Sequence, residues 1–174
     1  MRAQETKSRR ELYYTYAGPV LSGGMNNIRH AGWFDTQQET KEYSGYFFSG
    51  GACLAIQVGF LLGRFSFQYM YNANDLYPVS YLFYTVDGSY VYEINQTFGL
   101  TAGLGMYFDT PPSNKNYTGS AGLDVPLGVM INTTFDTKLF FDIFARYGFY
   151  GLGDGSTKLS YGINLAFVFK VGRI

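Results

Sequence analysis

The chain has 174 residues, the length of one domain, and its 13 basic and 13 acidic side chains give a formal net charge of zero. No basic excess exists to meet nucleic-acid phosphates, so we expect no nucleic-acid partner. The one cysteine, Cys53, excludes an internal disulfide and a thiolate metal cluster. We expect no metal site and no cofactor.

The pattern along the chain predicts strands rather than helices. No apolar run reaches the ~18 residues of a membrane-spanning helix. Eight amphipathic strands are predicted, most on the order of 12 residues long, whereas globular strands usually have about 5–6. A tilted strand that crosses a bilayer needs about 9–11 residues, so the strand length favours a membrane. In chain order the predicted strands cover residues 11–23, 44–58, 61–72, 79–94, 97–109, 119–131, 137–150 and 158–171.

The stretch TFGLTAGLGMYF, residues 97–108, shows two unlike strand faces. Its even positions are apolar, while its odd positions are Thr or Gly except for Tyr107. Other strands place charges on the less apolar face, Asp87 among them. An unpaired charge in a dry interior costs several kcal/mol. We therefore expect this face to line a narrow lumen and the apolar face to contact lipid. The predicted lumenal charge network is Arg64, Glu93, Asp124, Asp142 and Arg146.

The connections between predicted strands alternate between short turns and longer segments. The longest is the polar segment 25–43, which contains His30, Trp33 and Phe34. Because loops often carry the binding residues of a rigid scaffold, we expect these three side chains to form a contact surface.

Aromatic residues cluster towards the strand ends. Tyr and Phe rings prefer the headgroup region of a bilayer, so the clusters predict aromatic girdles at both interfaces. The predicted girdle residues are Tyr13, Tyr14, Tyr16, Tyr46, Phe47, Phe48, Tyr69, Tyr71, Tyr90, Tyr92, Tyr107, Phe108, Tyr147, Phe149 and Tyr150.

Over residues 11–171 the chain resembles the eight-stranded outer-membrane barrels of the OmpA/OmpX/OmpW-like group. The resemblance rests on the strand pattern, on GLTAGLGMYF, on DVPLGVMINTTFDTKLFFDIFARYGF, and on the last strand, 158–171. It implies an all-β fold, a closed eight-stranded antiparallel up-and-down transmembrane β-barrel. It also implies a location in the outer membrane of a diderm bacterium, with both termini periplasmic and outer-membrane lipid around the barrel.

The last strand is similar to the assembly signal of such barrels. Gly162, Leu165 and Phe167 match its glycine and hydrophobic positions, which implies recognition by the barrel assembly machinery. Many members end on an aromatic residue, whereas this chain continues past Phe169 with KVGRI. We expect residues 1–10 to be a periplasmic segment left after removal of a leader, and 172–174 to be a tail.

Several functions fit this fold. The first is a structural or surface-interaction barrel whose loops contact a host or environmental ligand. The second is a narrow channel for ions or small apolar molecules, with the lumenal charges as a gate rather than as structural ion pairs. A lipid-modifying enzyme that uses His30 ranks lower, and we expect no enzyme activity. A soluble lipocalin-like barrel stays open, although the polar face has few Lys and Glu residues for a solvated surface.

Overall fold

A computed structural model describes residues 13–34, 37–73, 80–110, 119–134, 136–150 and 157–173. Eight antiparallel strands form a closed barrel in chain order, and the first strand pairs with the last. The predicted all-β, up-and-down eight-stranded barrel is therefore confirmed. The strands are β1 (Tyr13–Phe34), β2 (Gln37–Val58), β3 (Leu61–Asn72), β4 (Ser80–Glu93), β5 (Phe98–Thr110), β6 (Ala121–Thr134), β7 (Thr137–Tyr150) and β8 (Thr157–Arg173).

The stagger between strands fixes the width of the barrel. A path along paired residues that starts at Gly45 of β2 passes through all the other strands and returns to β2 at Ala55, ten residues further on. Strand number and stagger together set strand tilt and diameter, and eight strands leave an interior that side chains can fill. Among the described residues, no helix is long and apolar enough to cross a membrane.

Side chains alternate strictly between the interior and the outer surface. Along β3 every second residue is buried, and the even-numbered positions of β5 are all exposed, as its sequence pattern predicts. The outer surface is consequently apolar over most of the strand length. Its exposed residues near mid-strand include Leu21, Leu54, Phe65, Phe67, Val86, Leu104, Met106, Leu123, Val125, Leu127, Ile143, Ile163 and Leu165.

The polar segment 25–43, predicted as a loop, is largely strand. β1 and β2 pair continuously from Tyr13↔Val58 to Phe34↔Gln37. β1 pairs with β8 only as far as Arg29, and β2 pairs with β3 only from Phe47. The end of this hairpin therefore continues beyond the paired part of its neighbours. The loop prediction was wrong because the backbone of this segment forms cross-strand pairs although its sequence is polar and lacks the apolar alternation on which the strand prediction relied.

The predicted girdle residues divide into outward and inward rings. Eight rings are exposed: Tyr46, Phe48, Tyr69, Tyr71, Phe108 and Tyr147 towards the long-loop end, and Tyr90 and Tyr92 at the turn end. Tyr16, Phe47 and Tyr107 are instead buried inside the barrel, and Tyr14 is partly buried against the same interior cluster as Tyr16. The prediction was wrong for these four rings, and the side chains of Tyr13, Phe149 and Tyr150 lie outside the described residues. Their clusters sit at strand ends, but strand parity decides which way each ring points.

Two glycines let β1 and β8 approach closely. Gly24 and Gly162 are paired across the two strands. A Cβ atom built on Gly162 would lie 2.8 Å from the Cα atom of Gly24, and one on Gly24 would lie 2.7 Å from the Cα atom of Gly162. These glycines thus relieve backbone contact between strands, in addition to leaving room in the lumen.

The close approach predicts a position-dependent cost of adding a methyl group. Gly162→Ala should destabilise the folded barrel by about 1–3 kcal/mol, because the new Cβ would overlap backbone atoms. Gly88→Ala is the matched control, since a Cβ at Gly88 meets nothing within 4 Å. Its effect should stay within about 0.5 kcal/mol. Urea unfolding in lipid vesicles measures both, and equal effects would contradict the role assigned to the glycine pair.

Candidate functional site

Two ion pairs lie on one row of paired residues in the barrel wall. Arg146 of β7 is opposite Asp124 of β6, and Arg64 of β3 is opposite Asp87 of β4, with Gly105 of β5 between the two pairs. The Nε atom of Arg146 lies 3.1 Å from Oδ1 of Asp124, and the Nε atom of Arg64 lies 3.0 Å from Oδ1 of Asp87. All four side chains are buried. The register of the strands therefore determines these partners.

A third contact crosses the lumen. Nη1 of Arg64 lies 2.5 Å from Oδ2 of Asp142 on β7, which is four strands away from β3 in the eight-stranded ring. Thr101 donates a hydrogen bond of 3.3 Å to the other oxygen of Asp142, and Ser89 donates one of 3.1 Å to Asp87. We name the ionised set the charge belt: Arg64, Asp87, Asp124, Asp142 and Arg146.

Aromatic rings enclose the cationic side of the belt. The guanidinium carbon of Arg146 lies 3.7 Å from the ring centroid of Phe144 and 4.4 Å from that of Phe83. The guanidinium carbon of Arg64 lies 5.6 Å from the ring centroid of Phe140. Cation–π contacts of this kind stabilise a desolvated arginine by about 2 kcal/mol.

Four of the five residues predicted for the lumenal network lie in the belt, and Glu93 does not. Glu93 lies at the turn end of β4 and is exposed. Its strand parity is the same as that of Asp87, but the interior ends before the strand does. Asp87, which the same alternation also places on the less apolar face, lies in the belt.

A second polar group near the long-loop end was not in the predicted set. Nζ of Lys158 lies 2.7 Å from Oδ2 of Asp109 and donates a hydrogen bond of 2.9 Å to the hydroxyl of Tyr81. Ser120 donates hydrogen bonds to both carboxylate oxygens of Asp109, one of them at 2.5 Å. Lys158 and Asp109 have the inward parity of their strands, so the sequence did carry a signal for them.

Apolar layers lie on both sides of the charge belt. The layer towards the turn end contains Tyr16, Val20, Cys53, Ala55, Leu62, Val91, Met130, Phe140, Ala166 and Val168. The layer towards the long-loop end contains Phe47, Met70, Tyr81, Phe83, Tyr107 and Phe144. Cys53 is thus a small lumenal residue. The belt has an apolar cluster on each side, and on the long-loop side buried polar side chains such as Gln68, Asp109 and Lys158 accompany it.

The predicted contact residues His30, Trp33 and Phe34 belong to the outer end of β1. Their side chains fall outside the described part of the structure, so the predicted contact surface stays a prediction. Residues 1–12, which include the predicted periplasmic segment 1–10, also lie outside the described residues.

Chemically, the belt neutralises charge rather than exposing it. Each carboxylate of the belt contacts an arginine, and burial of such pairs is favourable only with good geometry and further hydrogen bonds. The belt holds strands β3, β4, β6 and β7 to each other through side chains, in addition to the backbone ladder.

This arrangement predicts that removing one partner of a buried ion pair destabilises the barrel more than removing both partners. Arg146→Met should destabilise the barrel by about 3–5 kcal/mol, because it leaves Asp124 buried without its charge partner. The double variant Arg146→Met/Asp124→Leu should recover most of that loss, since neither charge remains. Urea unfolding of the wild type, of Arg146→Met and of the double variant measures how much the free energy of unfolding falls in each variant.

The exposed pair of Arg29 and Glu42 provides the control. Its atoms are 3.9 Å apart and the two side chains are 62% and 77% exposed. Arg29→Met should change stability by less than about 1 kcal/mol. A double variant of the belt that is as unstable as Arg146→Met would contradict the assigned role of the pair.

Comparison with known proteins supports the fold. No protein-family model matches the sequence, and no curated protein matches it. The N-terminal β-barrel domain of Pseudomonas aeruginosa OprF superposes with a TM-score of 0.54 at 8% identity, over 91% of this chain and 100% of that one. Neisserial surface protein A gives 0.53 at 18% identity, over 91% and 97%. The chain therefore has the fold of eight-stranded outer-membrane β-barrels.

Proposed function

We propose that the protein is an integral outer-membrane β-barrel that displays the β1–β2 hairpin at the cell surface as a contact element. The observation that carries the proposal is the reversed distribution of polarity. Large apolar side chains cover the outer surface, while arginines and aspartates are buried within. Contiguous apolar patches on soluble monomers rarely exceed an area on the order of a few hundred Å². The apolar outer surface therefore suits a lipid environment.

A closed barrel also suits lipid because it has no unpaired strand edge. In hydrocarbon each backbone N–H or C=O group without a hydrogen-bond partner costs several kcal/mol. Closure of the barrel lets neighbouring strands satisfy these groups. The two termini of an even-stranded barrel lie at the same end, which is here the end with the short turns β2–β3, β4–β5 and β6–β7. In outer-membrane barrels the short turns are periplasmic, so we place both termini there.

The hairpin is the part of the barrel best suited to contact a partner. It continues past the pairing of β1 with β8 and of β2 with β3, so its end lies beyond the barrel wall. The strand pairing gives it a defined backbone, and its sequence is polar with Trp33 and Phe34 at the end. A host or environmental ligand is the proposed partner. Recognition of the last strand through Gly162, Leu165 and Phe167 is the proposed route of assembly.

We further propose that the chain is not an enzyme. Within the described residues, arginine, lysine, serine and threonine side chains hold the buried carboxylates, and no histidine donates a hydrogen bond to them. A general base must lie within hydrogen-bond reach of the group that it activates. The interior of the barrel therefore supports packing and charge neutralisation better than it supports catalysis.

If the barrel is inserted in a membrane, a charged residue on its outer surface should destabilise it most at the depth of the membrane centre. Leu104, at the middle of β5, is 61% exposed, and Leu104→Arg should destabilise the barrel by about 2–4 kcal/mol because the charge would lie in hydrocarbon. Tyr71→Arg, at the end of β3, should cost at most about 1 kcal/mol. The measurement is urea unfolding in lipid vesicles, followed by the mobility shift between unboiled and boiled samples on a gel. Folding in plain buffer, with neither variant affected, would reverse the assignment of the faces.

The proposed orientation predicts one-sided labelling of intact cells. In a Cys53→Ser background, Gly32→Cys places a thiol in the end of the hairpin and Thr133→Cys places one at an exposed turn-end position. A membrane-impermeant maleimide should label the first in intact cells and the second only after the outer membrane is permeabilised. The opposite pattern would place the termini outside the cell and contradict the display of the hairpin.

A narrow channel is the second candidate, because charged groups line the middle of the lumen. The contact between Arg64 and Asp142 crosses the lumen, and apolar layers lie above and below it. We expect no stable ion conductance from the wild-type chain in planar bilayers. Reproducible conductance steps that change in size in the variant Arg64→Ser would favour the channel instead.

A further inference from the structure

The outer part of β2 has a strand edge that no described residue pairs with. β2 pairs with β1 from Gln37 onwards, but it pairs with β3 only from Phe47. The last backbone hydrogen bond on the β3 side runs from the N–H of Ala73 to the carbonyl of Tyr46. We name residues 37–45 of β2 the hairpin edge.

The backbone groups of the hairpin edge are directed outwards at every second residue. The carbonyl of Tyr46 faces the β3 side, and β1 and β2 pair without a register shift. Because backbone groups alternate between the two sides of a strand, the N–H and C=O groups of Gln38, Thr40, Glu42 and Ser44 face the same side as that carbonyl.

Neither proline nor a bulge interrupts the hairpin edge, although these are common means of protecting an exposed strand edge. The β3–β4 connection, 74–79, has six residues, which are too few to pair with the whole edge. The edge therefore offers a row of backbone donors and acceptors whose spacing fits another β-strand.

The sequence of the hairpin edge favours a second copy of this chain as the added strand. Glu39 and Lys41 carry opposite charges on the two sides of Thr40. In an antiparallel pair of two copies centred on Thr40, position 39 of each copy is opposite position 41 of the other. Opposite charges at directly opposed positions stabilise an antiparallel pair, whereas like charges destabilise it.

The neighbouring registers lack this complementarity. Residues whose backbone groups face the edge must be opposite each other, so a symmetric pair is centred on a single residue. A centre at Glu39, Lys41 or Glu42 would place a charged residue opposite its own copy. The register centred on Thr40 is therefore the favourable one among these.

The direction of the strands determines where the second copy lies. β2 runs from the hairpin towards the turn end of the barrel, so an antiparallel partner has its barrel at the opposite end of the pair. Two copies in one membrane point the same way, so the pair joins copies in two facing membranes. Thr40 and Tyr46 are six residues apart, and at about 3.3 Å per residue the two barrel walls would be separated by at most about 40 Å.

We propose that the hairpin edge binds the same edge of a second copy in a facing outer membrane, and so joins two cells. The inference rests on the proposed display of the hairpin at the cell surface and adds a partner for it. One pair of short edges is a small contact, but many copies in two facing membranes act together. Such multivalency raises the overall affinity by about 10²–10⁴-fold.

The test is aggregation of intact diderm bacteria that produce the chain and have short surface polysaccharides. Cells with the wild type should aggregate and settle, whereas cells without the chain should stay suspended. Glu39→Lys and Lys41→Glu should each abolish aggregation, because each places like charges opposite each other in the centred pair. The double variant Glu39→Lys/Lys41→Glu should aggregate with itself but not with the wild type.

Mixing the single variants provides the sharpest comparison. Cells with Glu39→Lys and cells with Lys41→Glu, each with a different fluorescent label, should form mixed aggregates, because one copy then has two positive positions and the other two negative ones. A mixture that stays suspended, or single variants that aggregate as the wild type does, would overturn the proposal.

Proline variants test the backbone contribution and identify the edge. Thr40→Pro removes an N–H that faces the hairpin edge, so it should abolish aggregation. Ala31 is opposite Thr40 in the hairpin, and its backbone groups face the other side. Ala31→Pro is thus the matched control and should aggregate as the wild type does. Loss of aggregation in both variants, or in neither, would contradict the assignment to this edge.

Two controls separate this inference from the proposed function. Each variant should show the gel mobility shift of a folded barrel and the labelling of the hairpin in intact cells. If both are present and wild-type cells stay suspended, the pairing of two copies is wrong while the display of the hairpin stands. If the labelling is absent in the wild type, the proposed orientation is wrong and the pairing falls with it.

Discussion

The width of the barrel is the constraint on which the other features depend. Eight strands with a stagger of ten residues enclose a narrow interior that side chains can fill. Every inward charge must then find its partner on another strand. The contact between Arg64 and Asp142 is possible only because the lumen is narrow enough for two side chains to span it.

The same constraint explains why the interior is divided into sections. Charged groups attract each other more strongly away from water, but their desolvation is unfavourable, so ion pairs are tolerated where they are concentrated and fully partnered. The belt side chains are buried away from solvent, which strengthens their contacts. The barrel thus has an apolar surface outside and a core of mixed polarity inside, and the strand register sets the order of that core.

Most of the barrel could be predicted from alternation, because a strand with an apolar outer side and a narrow lumen on the other side has two chemically different faces. The limits of β3 and the direction of Arg64, Asp124, Asp142 and Arg146 follow from this period of two. The extended hairpin could not be predicted in this way, since its sequence is polar and shows no apolar alternation. Glu93 was misplaced because parity gives the direction of a side chain and not the depth at which the interior ends. The contact across the lumen depends on stagger, which no local pattern encodes.

The long β1–β2 hairpin has a consequence for the order in which the barrel assembles. Its pairs begin at Phe34↔Gln37 and continue for 22 residues of each strand, so each added pair closes almost no new loop. Pairing of β1 with β8 instead joins the two ends of the chain and requires the largest loop closure in the molecule. Because the entropy of loop closure rises with loop length, the hairpin is the least costly element to form first and the β1–β8 seam is the most costly. A contact element made by the first hairpin would then already have its backbone structure before the barrel closes.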